Sequence, residues 1–179
     1  MSDNGKQQLI FQPEDAQHPV IAAALWATED TRRRTLAALK DINLLVIDHN
    51  VSEQTNTIGT LLYHIGAIEL DWLYSDVMEL GFPQEMASRF EYDVRDANGR
   101  LTVVAGKPLD EHLELLSVVR AELLGCFREM SLDDYRRPRH LEHYDVTPEW
   151  VLHHLMQHEA EHRGEMLTLR AEAERMLGL

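Results

Sequence analysis

Apolar residues recur at three- and four-residue steps in four separate stretches of the chain, the spacing that places them on one face of a helix. The first stretch runs from Val20 to about Lys40 and mixes Leu25, Leu36 and Leu39 with Arg32, Arg33 and Arg34. The second is capped by Asn56 or Thr57, carries Ile58, Leu61, Leu62, Ile65, Ile68 and Trp72, and stops near Leu80 before Gly81 and Pro83. The third begins near Pro108 and repeats Leu109, Leu113, Leu116, Val119, Leu123 and Phe127 to about Met130. The fourth opens on Thr147-Pro148-Glu149, a capping hydroxyl, a proline at the first helical position and an acid at the positive dipole end, and runs to about Leu177 before Gly178.

Between these stretches the pattern breaks. Residues 41–55 form a connector with a short apolar patch. Residues 90–106 flank the turn-prone Asp96-Ala97-Asn98-Gly99 with extended runs, which predicts a short hairpin or an extended loop between the second and third helices. Residues 131–146 are rich in charge and histidine and contain Pro138, so an irregular crossing is expected there. Four amphipathic helices joined by connections this long predict an all-α fold, a four-helix bundle with crossover connections. The polar residues 1–17 are expected to be a flexible N-terminal arm, and residues 18–179 a single helical-bundle domain.

Charge narrows the partners. Asp and Glu outnumber Lys and Arg by 31 to 17, a formal net charge of -14, which disfavours a phosphate backbone or an anionic membrane surface, so neither nucleic acid nor membrane is an expected partner. No apolar stretch reaches the roughly 18 residues of a membrane span, and no secretory pattern opens the sequence, so the expectation is a cytoplasmic protein. Cys126 is the sole cysteine, so any metal must be held by nitrogen and oxygen. It reads as a small core residue, and Trp26, Trp72 and Trp150 as core or dimer-contact residues.

Ten histidines among 179 residues are the unusual part of the composition. His158 and His162 stand four apart on the fourth helix and stack on one face, beside Val151, Leu155, Met166 and Leu169. His64 borders the inward stripe of the second helix, and facing helices in a bundle lie about 8–10 Å apart, near enough for three imidazoles to converge. Such a triad leaves positions open on a divalent metal, the arrangement of a catalytic site. His154 extends the row by one turn and reads as a residue behind the ligands or at the surface. His18, His49, His112, His140, His143 and His153 read as solvated, with His140 and His143 placed to line an opening; Arg32 to Arg34 read as a solvated or ion-paired face. The letters His158-Glu159-Ala160-Glu161-His162 also fit the H-E-x-x-H of zinc proteases. The chain lacks a downstream histidine for the third ligand, leaving only Glu172 or Glu174, and nothing predicts a strand edge to bind a peptide, so proteolysis is a minor reading.

Asn56-Thr57-Ile58-Gly59-Thr60-Leu61-Leu62-Tyr63-His64, then Thr147-Pro148-Glu149-Trp150 and His158-Glu159-Ala160-Glu161-His162-Arg163-Gly164-Glu165, resemble the DinB family over about residues 20–175. The resemblance implies a crossover four-helix bundle, often a homodimer, with a divalent metal such as zinc or nickel on His64, His158 and His162. It also implies a thiol-dependent transferase or isomerase that uses a low-molecular-weight thiol against small electrophilic substrates. The alternatives are a metal-dependent hydrolase with Glu159 or Glu161 as base, and a noncatalytic stress-associated metal-binding protein.

Overall fold

The computed structural model describes residues 10–179. Four long helices carry the architecture: α1 (Pro19–Ala38), α3 (Ile58–Asp71), α5 (Leu109–Arg128) and α7 (Pro148–Leu177). Three short helices lie in the connections, α2 (Leu44–Ile47), α4 (Gln84–Ala87) and α6 (Leu132–Arg136). The long helices pack in a ring, α1 on α7, α7 on α3, α3 on α5 and α5 on α1. Helices consecutive in the chain, α1 and α3 or α5 and α7, therefore sit across the diagonal, which is the crossover topology. The fold is all-α, with one two-residue hairpin as its regular sheet among the described residues.

Local chemistry sets the helix ends. Pro19 and Pro148 occupy first-turn positions where no amide bond is lost, behind His18, whose Nδ1 accepts from Val20 N, and Thr147, whose hydroxyl accepts from Trp150 N. Of the two caps offered for α3, Thr57 performs the role, accepting from Thr60 N at 3.1 Å, which leaves the Asn56 amide free for another partner. Gly178 ends α7 in the left-handed region (φ 72°), where a Cβ would be strained.

The second helix does not run unbroken to Leu80. Its α-helical part ends at Asp71 and a π-helical turn, Trp72–Val77, follows, closed by Met78 N donating to Leu73 O five residues back. Such turns insert a residue into a helix and shift every later side chain around the axis. The loop over residues 90–106 is closed by one bridge, Arg95 with Leu101, around the Asp96–Gly99 turn. Buried Val104 anchors it to α3 by donating its backbone N–H to Thr60 Oγ1, and Tyr63 OH binds both backbone groups of Tyr92. Residues 131–146 are more regular than an irregular crossing: α6 is followed by antiparallel strands β1 (Arg139–His140) and β2 (Asp145–Val146). The buried Arg139 guanidinium organises this segment by donating to the backbone oxygens of Val77, Asp134 and Arg137.

Residues 1–9 of the expected arm lie outside the described residues. Residues 10–17 have no helix or strand but are held against the bundle: Gln17 N donates to Arg128 O, Glu14 pairs with Arg128, and Phe11 packs 4.8 Å from Trp26.

Of the two readings of Arg32, the ion-paired one holds, but in the core and not on a solvated face: Arg32 is buried, 6% exposed, and meets Glu69 (2%), Arg120 (5%) and Glu159 (2%) at the bundle centre, one residue from each long helix. Arg32 reaches Glu159 and Glu69, both at 2.8 Å; Arg120 forks onto Glu69 at 2.6 and 3.0 Å and touches Glu159 at 3.0 Å. Two cations and two anions, each hydrogen-bonded, balance the cost of burial that any one of them alone would impose.

Candidate metal centre

α3 and α7 together carry the histidines that the sequence singles out. His158 and His162 are one turn apart on α7, and His64 faces them from α3, 6% exposed. His158 Nε2 lies 3.1 Å from His64 Nε2 and 3.1 Å from His162 Nε2, and one ligand atom from each ring falls within 4.8 Å of the others. This is the only such grouping of metal-capable side chains among the described residues.

The rings are a poor hydrogen-bonded cluster and a good donor set. His162 Nδ1 faces Glu165 Oε2 at 3.1 Å, which places a proton on Nδ1 and leaves the Nε2 lone pair directed at the other two rings. His64 Nδ1 is buried without a partner. Burial, then the neighbouring His158 and His162, push the His64 imidazole down to about 3; burial, then His162 and His154, push His158 down to about 4, so both rings are neutral at pH 7. With His64 and His158 neutral and the His162 Nδ1 proton engaged by Glu165, the three Nε2 atoms that point at one another cannot all find a hydrogen-bond partner within the cluster. Nitrogens bound at about 2.0–2.1 Å around a tetrahedral zinc are roughly 3.3–3.4 Å apart, close to the spacing seen here. The residues present therefore fit a divalent ion of the kind that takes imidazole ligands.

Glu165 stands beside the triad, and the sequence reading did not single it out. Its Oε1 accepts from Asn56 Nδ2 at 3.1 Å, so it links the start of α3 to His162 and fixes that ring's orientation. The signal was its position three residues after His162, on the same helix face.

The other histidines sort differently. His154 is no part of the grouping: its ring stacks on Trp150 (4.9 Å, 9°) and touches Trp72 (4.8 Å), with His158 6.0 Å beyond. His140 and His143 are exposed, His140 bonded to Asp145 across the hairpin at 2.9 Å, and His153 is exposed. His112 contradicts its solvated reading. It is 1% exposed on α5, pushed down chiefly by burial, with neither ring nitrogen bonded, because it packs where Gly59 on α3 leaves room.

Glu159, the acid of the H-E-x-x-H letters, is committed to Arg32 and Arg120 in the core, about 100° around α7 from His158. It cannot serve as a general base at the triad. Glu161 is exposed and accepts from Gln157. Arg163 donates to Thr31 O, tying α7 to α1, while a Cβ at Gly164 would meet open space and nothing in the structure requires a glycine there.

A family model of the DinB superfamily matches residues 27–166. The chain belongs to that superfamily. The match takes in α1 from residue 27 onward, all of α3 and α5, and the histidine-bearing part of α7, so all three histidines of this DinB-superfamily protein lie within the matched region. No curated protein matches the chain. No helix among the described residues is long and apolar enough to cross a membrane.

Proposed function

We propose that this DinB-superfamily protein is a divalent-metal enzyme whose ion, zinc or nickel, is held by His64, His158 and His162, and that it transfers or isomerises small electrophilic substrates with a low-molecular-weight thiol. The observation that carries the metal is the convergence of three Nε2 atoms, two contacts at 3.1 Å, with Glu165 setting the tautomer of His162. A metal held by three protein ligands keeps a position open and lowers the pKa of a thiol or water there, giving a nucleophile near neutral pH.

The surroundings favour thiol chemistry over hydrolysis. Metal-assisted hydrolysis is helped by a carboxylate free to take a proton from water. Here Glu159 is locked between two arginines, Glu165 is engaged by Asn56 and His162, and Glu161 is exposed. A thiol nucleophile is acidic enough to dispense with such a base.

The test is elemental analysis of protein purified without a metal-affinity tag. The wild type is expected to carry about one divalent ion per chain, and His64→Ala and His158→Gln to lose it while keeping their helical circular dichroism. Full metal content in both variants overturns the ligand set. Metal-dependent consumption of a thiol together with an electrophile supports the reaction, whereas turnover with no thiol present overturns it in favour of hydrolysis. The homodimer implied by kinship predicts a mass near twice that of the chain by light scattering.

A further inference from the structure

The side chains just beyond the triad form a wall of rings. Trp72 begins the π turn on the α3 side, and Trp150 lies on the first turn of α7, their centroids 5.4 Å apart. Tyr144, from the hairpin, lies 5.9 Å from Trp72 and is held by its hydroxyl on Asp76 Oδ1 at 2.7 Å. His154 closes the wall on the side of His158. Trp72, Tyr144 and Trp150, together with Pro138, Asp145, Val146 and Thr147, line a groove of about 430 Å³, with His154 stacked against Trp150.

Three features set this groove apart from ordinary surface. Trp150 is 47% exposed although its ring already stacks flat on His154, so one indole face is held in place and the groove stays open beside it. Trp72 reaches the wall from a π turn, a departure from α-geometry that tends to persist at functional sites. Its lining residues include an aspartate and no lysine or arginine, in a chain of net charge -14, so an anionic ligand would be repelled.

We propose that this groove binds the planar, uncharged aromatic end of the substrate whose reacting end lies at the triad; the assignment rests on the reading of the triad as the reaction centre. Trp150 and His158 are eight residues apart on α7, a rise of about 12 Å. The substrate is accordingly elongated, with a ring at one end and its electrophilic atom about two helical turns away. Stacking against Trp150 and Trp72 supplies the affinity, and the acidic surroundings select against a carboxylate on the ring.

Isothermal titration calorimetry with two matched probes tests the groove. 2-Naphthol is expected to bind saturably with a Kd of about 1 mM or below, and 2-naphthoate about tenfold more weakly or worse. Trp150→Ala, at a half-exposed position, is expected to keep the helical circular dichroism and to weaken 2-naphthol about tenfold. The same affinity should survive in metal-free His158→Gln. The proposal is overturned if 2-naphthol shows no saturable binding, if Trp150→Ala binds it as tightly as the wild type, if 2-naphthoate binds equally well, or if His158→Gln abolishes binding and so places the probe at the triad. Metal content tests the triad separately, so the two readings fail by different measurements.

Discussion

Glu165 shows how much a single side chain beyond the ligands can decide. By accepting hydrogen bonds from His162 Nδ1 and the Asn56 amide it holds one imidazole in a single tautomer and ties it to the start of α3. Glu165→Gln is expected to lower metal affinity about 10–100-fold with the fold intact, read by competition with a chromophoric chelator; an unchanged affinity would remove the orienting role. The grouping of the three histidines was legible because i, i+4 spacing and helix phase fix where a side chain points. Glu165 was less so, because a carboxylate three residues from a histidine on an acidic helix usually faces solvent. His112 was misread for a related reason: it lies between Glu111 and Leu113, and its burial follows from an absent side chain at Gly59, on another helix.

Element boundaries followed the capping chemistry closely where that chemistry was strong. Thr147-Pro148 and Gly178 bracket α7 as expected, and Thr147→Ala should cost about 1 kcal/mol in urea denaturation while leaving metal content unchanged, since the cap is far from the triad in sequence and its loss frays only the first turn. Equal stability of the variant would mean that packing alone starts the helix. The π turn, by contrast, left no trace in the pattern. Trp72 continues the apolar stripe of α3 at a four-residue step, and the extra residue shows only in the backbone bond from Met78 to Leu73. The hairpin after α6 was hidden likewise, since two-residue strands are too short for alternation to register, and what orders them is the buried Arg139.

At the scale of the molecule, the ion cluster was legible in principle. Ile21, Leu25, Thr28, Arg32, Thr35 and Leu39 form one stripe of α1, and Glu69, Arg120 and Glu159 hold the same core phase on the other long helices, two charges of each sign. No single helix reveals this; the four must be read together. Burial pushes the Glu69 carboxyl up, but Arg120 and Arg32 outweigh it and hold the group below its ordinary 4.5. A carboxyl depressed in the folded state stabilises the protein above 4.5, and that stabilisation is lost as pH falls through the folded value. Stability measured by denaturant titration should therefore decline with acid below that point. Glu69→Gln should be less stable at neutral pH, through two arginines left short of charge, and should show a shallower acid slope; an unchanged slope would assign the acid loss to other groups. Asp76 acts in the opposite sense, because burial raises its carboxyl. The cluster also bears on the triad, since Glu69 follows His64 on α3 and Glu159 adjoins His158 on α7. Held at those positions, the two helices resist rolling about their axes, so the three imidazoles are preorganised for the proposed cation. Chelation and reloading of the proposed ion are then expected to be local events that leave the helical signal unchanged.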